Sequence, residues 1–311
     1  MEKTQSRLGV FSGKPLVPMS VESEVAVLSE LAVLAAQHAE LPSFLADQDD
    51  RLTRLLAAAF TLSPFLFESA RSHPELLVAI DEPVIPRIEA EIEAARFAWH
   101  EDMTSDTLLM ERLRKAKRRI AFLTALADLA GIIKAEETTA CLSRFASAAV
   151  AATVDHLLRS AEADGKLKLA DPSQPSQGSG VVVLGMGKLG ASELNYSSDI
   201  DIVVFFDPQA RSIADPDSAR EFFPRLMRRL VRILQERTGD GYVFRTDLRL
   251  RPDPGSTALA IPVEAALLYY ESRGQNWERA AYIKARPIAG DIAAGEAFLA
   301  EMAPFIFRKY L

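Results

Sequence analysis

The stretch from Val181 to Asp207, VVVLGMGKLGASELNYSSDIDIVVFFD, limits this chain more than any other. Its first four residues are apolar and mostly β-branched, which suits a short buried strand. Gly185, Gly187 and Gly190 follow, so the backbone can turn sharply and lie close to a ligand. Lys188–Tyr196 has the length of a short helix, whose N-terminal N–H groups and Lys188 ammonium would attract an anion. A second strand is predicted from Asp199. Side chains alternate along a strand, so Asp199 and Asp201 share one face, and Ile200, Ile202 and Val204 the other. Two carboxylates at the start of a buried strand repel each other. A divalent cation between them removes the conflict, and hard oxygen ligands of this kind suit magnesium.

A later stretch carries a third acid. Tyr242–Arg251, YVFRTDLRLR, alternates, with Phe244, Thr246, Leu248 and Leu250 on one face and Arg245, Asp247, Arg249 and Arg251 on the other. Asp247 is then either one charge on a solvated edge strand or a third carboxylate beside Asp199 and Asp201. In the second case the arginines would face a polyanion such as a nucleotide or phosphate. Gly185-Met-Gly-Lys-Leu-Gly also satisfies the dinucleotide pattern G-x-G-x-x-G, with Asp207 where a ribose-binding acid would lie. Against that reading, the intervening helix is short for a crossover, the paired acids have no use, and only one further clear strand follows. A P-loop is excluded because no G-K-[ST] follows the glycines.

The remainder frames this site. The 311 residues suffice for two domains, and 49% apolar with 25% charged content is ordinary for a globular chain. A net charge of -7 argues against a protein that coats nucleic acid. Cys141 is the only cysteine, so no intrachain disulfide forms and a reducing, cytoplasmic setting is expected. No secretory h-region opens the chain, and no apolar run has membrane-spanning length. Residues 1 to about 20 read as an irregular arm, and Val21 to about Gly165 as helices only, with starts at Ser20 and at Ser63-Pro64. Arg112, Arg114, Lys115, Lys117, Arg118 and Arg119 crowd the helix predicted over Asp106–Ile133. A solvated face is the ordinary reading of such a run, and a partner or phosphate contact the other. His38, His73, His100 and His156 have no metal-like spacing and read as structural. Asp164–Gly180 ends in Pro, Ser, Gln and Gly and marks a linker, which divides the chain into residues 1–165 and 166–311. In the second part, helices are expected over Asp217–Arg237 with Pro224 inside, Pro262–Ser272, Asn276–Ala285 and Ala293–Met302. Trp277, Glu278, Arg279, Lys284 and Arg286 read as surface groups on a packed helix.

Glycine turn, short helix, Asp-x-Asp strand and a later Asp-bearing strand is the order found in the nucleotidyltransferase superfamily that includes DNA polymerase β. The segments GMGKLGASELNYSSDIDIVVFF, VFRTDLRLRP, NWERAAYIKARPIAGD and PFIFRKYL resemble the bifunctional glutamine synthetase adenylyltransferase/adenylyl-removing family. SPFLFESARSHPELL and LRKAKRRIAFLTALADLAG extend the likeness into the helical part, from about residue 60 to the end. The resemblance implies an α+β chain: an all-α N-terminal region, then a polymerase β-like core with a small mixed sheet flanked by helices. It implies Asp199, Asp201 and Asp247 as catalytic, metal-binding residues holding two Mg²⁺. Gly185, Gly187, Lys188, Ser197, Ser198, Arg245, Arg249 and Arg251 would bind phosphate and the nucleotide, whether ADP, ATP or AMP. Complete members carry two such domains. One attaches AMP to a tyrosine of glutamine synthetase; the other removes it with phosphate and yields ADP. The start at Met1 and the wording NWERAAYIKAR point to the N-terminal, deadenylylating portion. Implied partners are glutamine synthetase and the PII signal protein, with glutamine and 2-oxoglutarate as upstream signals. The alternative is adenylylation with ATP; more distant are a dinucleotide-binding oxidoreductase and a catalytically silent regulatory module.

Overall fold

The computed structural model describes residues 16–78, 80–100, 105–213 and 215–307. The expected N-terminal arm lies outside the described residues up to residue 15, and the PFIFRKYL segment does from residue 308. The chain divides into two compact units, Met1–Ile92 with Ala116–Cys141, and Glu93–Lys115 with Leu142–Leu311.

Helices α1 (Val21–Gln37), α2 (Arg51–Leu62), α3 (Pro64–Ser72), α4 (Val84–Arg96), α5 (Asp106–Leu129) and α6 (Ala135–Ala163) come first. Their starts follow local rules. Ser20 and Ser23 form a reciprocal capping box on α1, Asp50 accepts from Leu52 and Thr53 N–H on α2, and Ser63 caps α3. Pro64 sits at the first helical position, where its missing N–H costs nothing. Such caps contribute about 1 kcal/mol each. In the first unit Leu31, Leu56, Leu66, Leu77, Ile88 and Phe122 form one apolar cluster and are fully buried.

The second unit is built on strands β1 (Val181–Gly185), β2 (Ile200–Phe206), β3 (Thr246–Asp247), β4 (Ala260–Pro262) and β5 (Arg286–Gly290). Helices α7 (Gly187–Gly190), α8 (Pro216–Gln235), α9 (Val263–Arg273), α10 (Asn276–Tyr282) and α11 (Ile292–Ile306) join or cover them. The order is β3-β2-β1-β5, with β4 also pairing β2. β1 runs antiparallel to both β2 and β5, whereas β3 and β4 run parallel to β2, along its other edge. Antiparallel pairing of β1 and β2 removes the dinucleotide reading, because that fold needs a parallel pair joined by a crossover helix. Both sheet faces are covered, which explains the continuous apolar runs. Val182, Leu184, Val203 and Phe205 pack with Tyr270, Phe298 and Met302, and Phe206 on the opposite face stacks on Phe223 of α8 at 4.6 Å.

Four local expectations are corrected. The helix expected over Lys188–Tyr196 is a single turn, Gly187–Gly190. Ser192 then takes a left-handed φ of 63°, and the Asn195 carboxamide accepts from Ser197 N–H and Ser198 Oγ, which draws the backbone into turns. The strand expected over Tyr242–Arg251 is reduced to Thr246–Asp247, the two residues of that stretch in the ladder with β2. β4 and β5 were not expected, and Arg286 belongs to β5 rather than to a helix surface. Arg114 is buried, not solvated, and donates to backbone carbonyls of Met110, Ile233, Glu236 and Gly241.

His156 is structural, as expected: its Nε2 lies 2.8 Å from the Asp106 carboxylate, which also accepts from Arg229 and Arg232. Burial opposes ionisation of Asp106, but the hydrogen bonds and charge of Arg229 and His156 outweigh it and hold the carboxyl well below its usual range. Among the described residues no helix is long and apolar enough to cross a membrane.

Candidate active site

The three aspartates converge by register. Asp201 is the second residue of β2, and its partner across the parallel ladder is Asp247. Asp199 lies two residues before Asp201, just ahead of the strand, and so projects to the same side. Burial first, then the neighbouring Asp247 and Asp199 carboxylates, push Asp201 above the ordinary carboxylate range, while Arg249 and Lys188 pull it down. The outer two acids are paired with cations. Arg245 Nε donates to Asp199 Oδ1 at 2.5 Å, and Arg249 donates to both Asp247 oxygens, with Nη2 at 2.5 Å from Oδ2. The Arg249 hydrogen bonds hold the Asp247 carboxyl below its usual range. Among the described residues no side chain donates to the Asp201 carboxylate, and no group of three or more His, Cys, Asp or Glu side chains is arranged to hold a metal ion. The donor types nevertheless suit a hard cation: three neighbouring carboxylates, one of them with no cation hydrogen-bonded to it.

The glycine turn closes over this acid. Gly187 has φ +51°, and a Cβ placed there would sit 3.0 Å from Asp201 Oδ2. Gly190 passes so near the Lys284 carbonyl that a Cβ would lie 2.0 Å from its oxygen. Gly185 ends β1 against Ile288 and Leu189 and serves packing. α7 is too short for the helix-terminus anion site that its sequence suggested. Lys188 Nζ instead reaches Ser198 Oγ at 3.4 Å, and Ser198 Oγ donates to Asn195 Oδ1 at 2.7 Å. Ser197 is exposed and its carbonyl accepts from Arg245 Nη2 at 3.1 Å.

The arginine row expected from alternation does not form, because the strand ends at Asp247. Arg249 is highly exposed and folds back onto Asp247. Arg251 turns away and donates to the carbonyls of Leu248, Pro254 and Thr257, which fixes the loop after β3. Arg245 and Arg249 are therefore beside the acids, and Arg251 is committed to the loop.

Sequence reasoning also missed supporting residues. Glu278 is fully buried, not a surface group. Its Oε2 accepts from Gln275 N–H at 2.7 Å, in a capping box that the Q-x-x-E spacing could have revealed. Arg286 donates to the carbonyls of Leu189 and Gly190 and so holds the end of α7, while Lys284 pairs with Glu193 at 2.8 Å. Ser143 Oγ accepts from Leu194 N–H, tying the Leu194 loop to α6. Cavities of about 920 and 360 Å³ lie among α9–α11 and beside the Asp253-Pro254 loop, and no candidate residue lines either.

A family model described as glutamate-ammonia ligase adenylyltransferase matches residues 53–301. The chain is 58% identical to the bifunctional glutamine synthetase adenylyltransferase/adenylyl-removing enzyme of Rhizobium meliloti (strain 1021), over 100% of this chain and 32% of the relative. The proteins of that name in Agrobacterium fabrum and Bradyrhizobium diazoefficiens are 56% and 44% identical, over 100% and 97% of this chain and 32% and 30% of their own. The chain thus spans about a third of the length of these relatives.

Proposed function

This chain belongs to the glutamate-ammonia ligase adenylyltransferase family, and from that membership we propose that Asp199, Asp201 and Asp247 form the centre of a nucleotidyl-transfer site of the polymerase β type. The observation that carries this reading is the Asp201–Asp247 register, with Asp199 two residues upstream and the Asp201 carboxyl raised above its usual range by burial and by both neighbouring acids despite Arg249 and Lys188. All reacting groups are assigned to residues 166–311, and residues 1–165 to the helical region. The three carboxylates would hold Mg²⁺, two ions by family resemblance; when bound, the metal stabilises charge on the entering and leaving oxygens.

The reaction assigned is removal of AMP from the adenylylated tyrosine of glutamine synthetase. A hydrogen-phosphate oxygen bonds to the AMP phosphorus in line, the bond from phosphorus to the tyrosyl oxygen breaks, and the proton passes from phosphate to that oxygen. ADP and free tyrosine result. Arg245 and Arg249 are the cations assigned to orient phosphate by charge-assisted hydrogen bonds, with Lys188 and Ser198 as further phosphate contacts. A phenol, with an ordinary pKa near 10, is a tolerable leaving group. The assignment of direction rests on the NWERAAYIKAR segment, and the relatives' names include both activities. The PII signal protein is the proposed regulator, with glutamine and 2-oxoglutarate upstream of it.

The test supplies adenylylated glutamine synthetase, Mg²⁺, labelled phosphate and, separately, the uridylylated signal protein. Label is expected in ADP and should vanish in Asp247→Asn. Consumption of ATP with transfer of AMP to unmodified glutamine synthetase, and no phosphorolysis under any effector, would reverse the direction while leaving the site.

A further inference from the structure

Arg114 is an unusual arginine: nearly inaccessible to solvent, on α5, and among the described residues hydrogen-bonded to no carboxylate. Its guanidinium serves backbone only. Nη1 donates to Met110 O at 2.9 Å within α5 and to Ile233 O at 3.1 Å on α8. Nη2 donates to Glu236 O, and Nε to Gly241 O at 2.9 Å. Ile233 and Glu236 lie in and just beyond the last turn of α8, where carbonyls lack intrahelical partners and the helix dipole favours a cation. Gly241 is the far side of the tight Thr238–Gly241 turn that follows.

That turn leads directly to the third aspartate. From Gly241, Val243 and Phe244 both donate N–H to Leu234 O, and Phe244 packs on Phe145 of α6 at 5.6 Å between ring centres. Arg245 O then accepts from Ile200 N–H, and Thr246 N–H donates to Gln235 Oε1 at 3.1 Å. β3 itself makes only a two-residue ladder with β2, too little to fix its own register. Upstream of it, Arg114 joins the end of α8 to the turn.

We propose that Arg114 is a positioning residue for the reaction: by holding three carbonyls between Ile233 and Gly241, it sets where β3 begins and thereby places Asp247 beside Asp201 and Arg245 beside Asp199. The inference rests on the reading of Asp247 given above and goes beyond it, since Arg114 touches no reacting group. A lysine at 114 keeps the charge but cannot span the three carbonyls.

The test measures ADP binding by calorimetry at a series of Mg²⁺ concentrations, alongside thermal melting. Arg114→Lys is expected to raise the Mg²⁺ midpoint about 10-fold, as loss of a group that orients a metal ligand does. Met302→Ala, a core change on α11, should lower the melting temperature without moving the midpoint. A folded Arg114→Lys protein with the wild-type midpoint overturns the proposal and leaves Arg114 a structural residue. Should Arg114→Lys not fold, Gly241→Ala decides: Gly241 has φ +87° with open space around a Cβ, so this change strains only the turn. A raised midpoint supports positioning, and an unmoved one overturns it. Wild-type ADP binding that is indifferent to Mg²⁺ or to Asp247→Asn removes the reading of the site, and this inference with it. Binding that needs both, yet ignores Arg114 and Gly241, removes this inference alone.

Discussion

At the scale of single residues, similar charges in one short segment do different work. Arg249 and Arg251 are two positions apart, yet one is an exposed counter-ion and the other a loop fastener. An exposed ion pair contributes at most about 1 kcal/mol, so the Arg249–Asp247 contact is poorly explained as a stabiliser and better as a cation kept near the acids. Asp201 makes the opposite case. Its raised folded-state pKa means that its charge disfavours the fold. Protons bind more tightly to the folded than to the unfolded state, so stability falls as pH rises from the ordinary Asp value through the raised one, and the loss persists above it. Asp201→Asn should therefore melt higher than wild type in chelator at neutral pH, by at most about 1 kcal/mol of stability. The gap should close as pH falls towards the ordinary Asp pKa of about 3.9. Melting curves of both proteins from about pH 4 to about pH 8 check this. A gap that widens in acid would mean that Asp201 is stabilised by an attractive partner.

Elements here are short where they carry candidate chemistry and long where they carry the core. α7 is one turn, and β3 is two residues. Their geometry is imposed by neighbours: Arg286 holds the end of α7, and the α8 terminus holds the approach to β3. Two glycine changes in α7 separate packing from site. Gly190→Ala sets a methyl 2.0 Å from Lys284 O and 2.6 Å from Gly185 O, both backbone, so nothing flexible can yield. A loss of at least about 3 kcal/mol and of soluble protein is expected. Gly187→Ala meets only a left-handed φ, costing about 1 kcal/mol, and the movable Asp201 carboxylate. This variant should stay folded by circular dichroism yet bind ADP with Mg²⁺ distinctly more weakly. Wild-type binding in a folded Gly187→Ala protein would show that the loop's closeness to Asp201 is unimportant.

For the whole molecule, the question is where a folding unit begins. The linker composition marks 165/166, but the sheet unit draws on residues well before it. Ser143 satisfies Leu194 N–H, Asp155 bonds Ser176 and Arg96, Phe145 packs on Phe244, and Arg114 caps α8. A chain starting at residue 166 loses all of these and leaves buried carbonyls and N–H groups without partners, at about 1–3 kcal/mol each. Against a net stability of typically about 5–15 kcal/mol, that is enough to unfold it. Residues 166–311 alone should give a collapsed amide spectrum, while the full chain gives a dispersed one. A dispersed, cooperatively melting 166–311 fragment would show that the linker is the boundary of an independent folding unit.

The sequence by itself determined what depends on neighbours along the chain. Helix starts at Ser20 and Ser63, the strands β1 and β2, and the pairing of Asp199 with Asp201 follow from capping, alternation and a spacing of two. Asp247 as a third acid was visible as one carboxylate among arginines, though not its register. What only tertiary structure decided depends on partners distant in the chain. β4 and β5 are short, contain proline and show no alternation, so their strand state comes from β2 and β1. The antiparallel β1–β2 pair, which separates this fold from a dinucleotide domain, leaves no local trace. Arg114 looks like a surface charge because hydropathy describes the side chain alone, whereas its burial is stabilised by carbonyls that a distant segment brings to it.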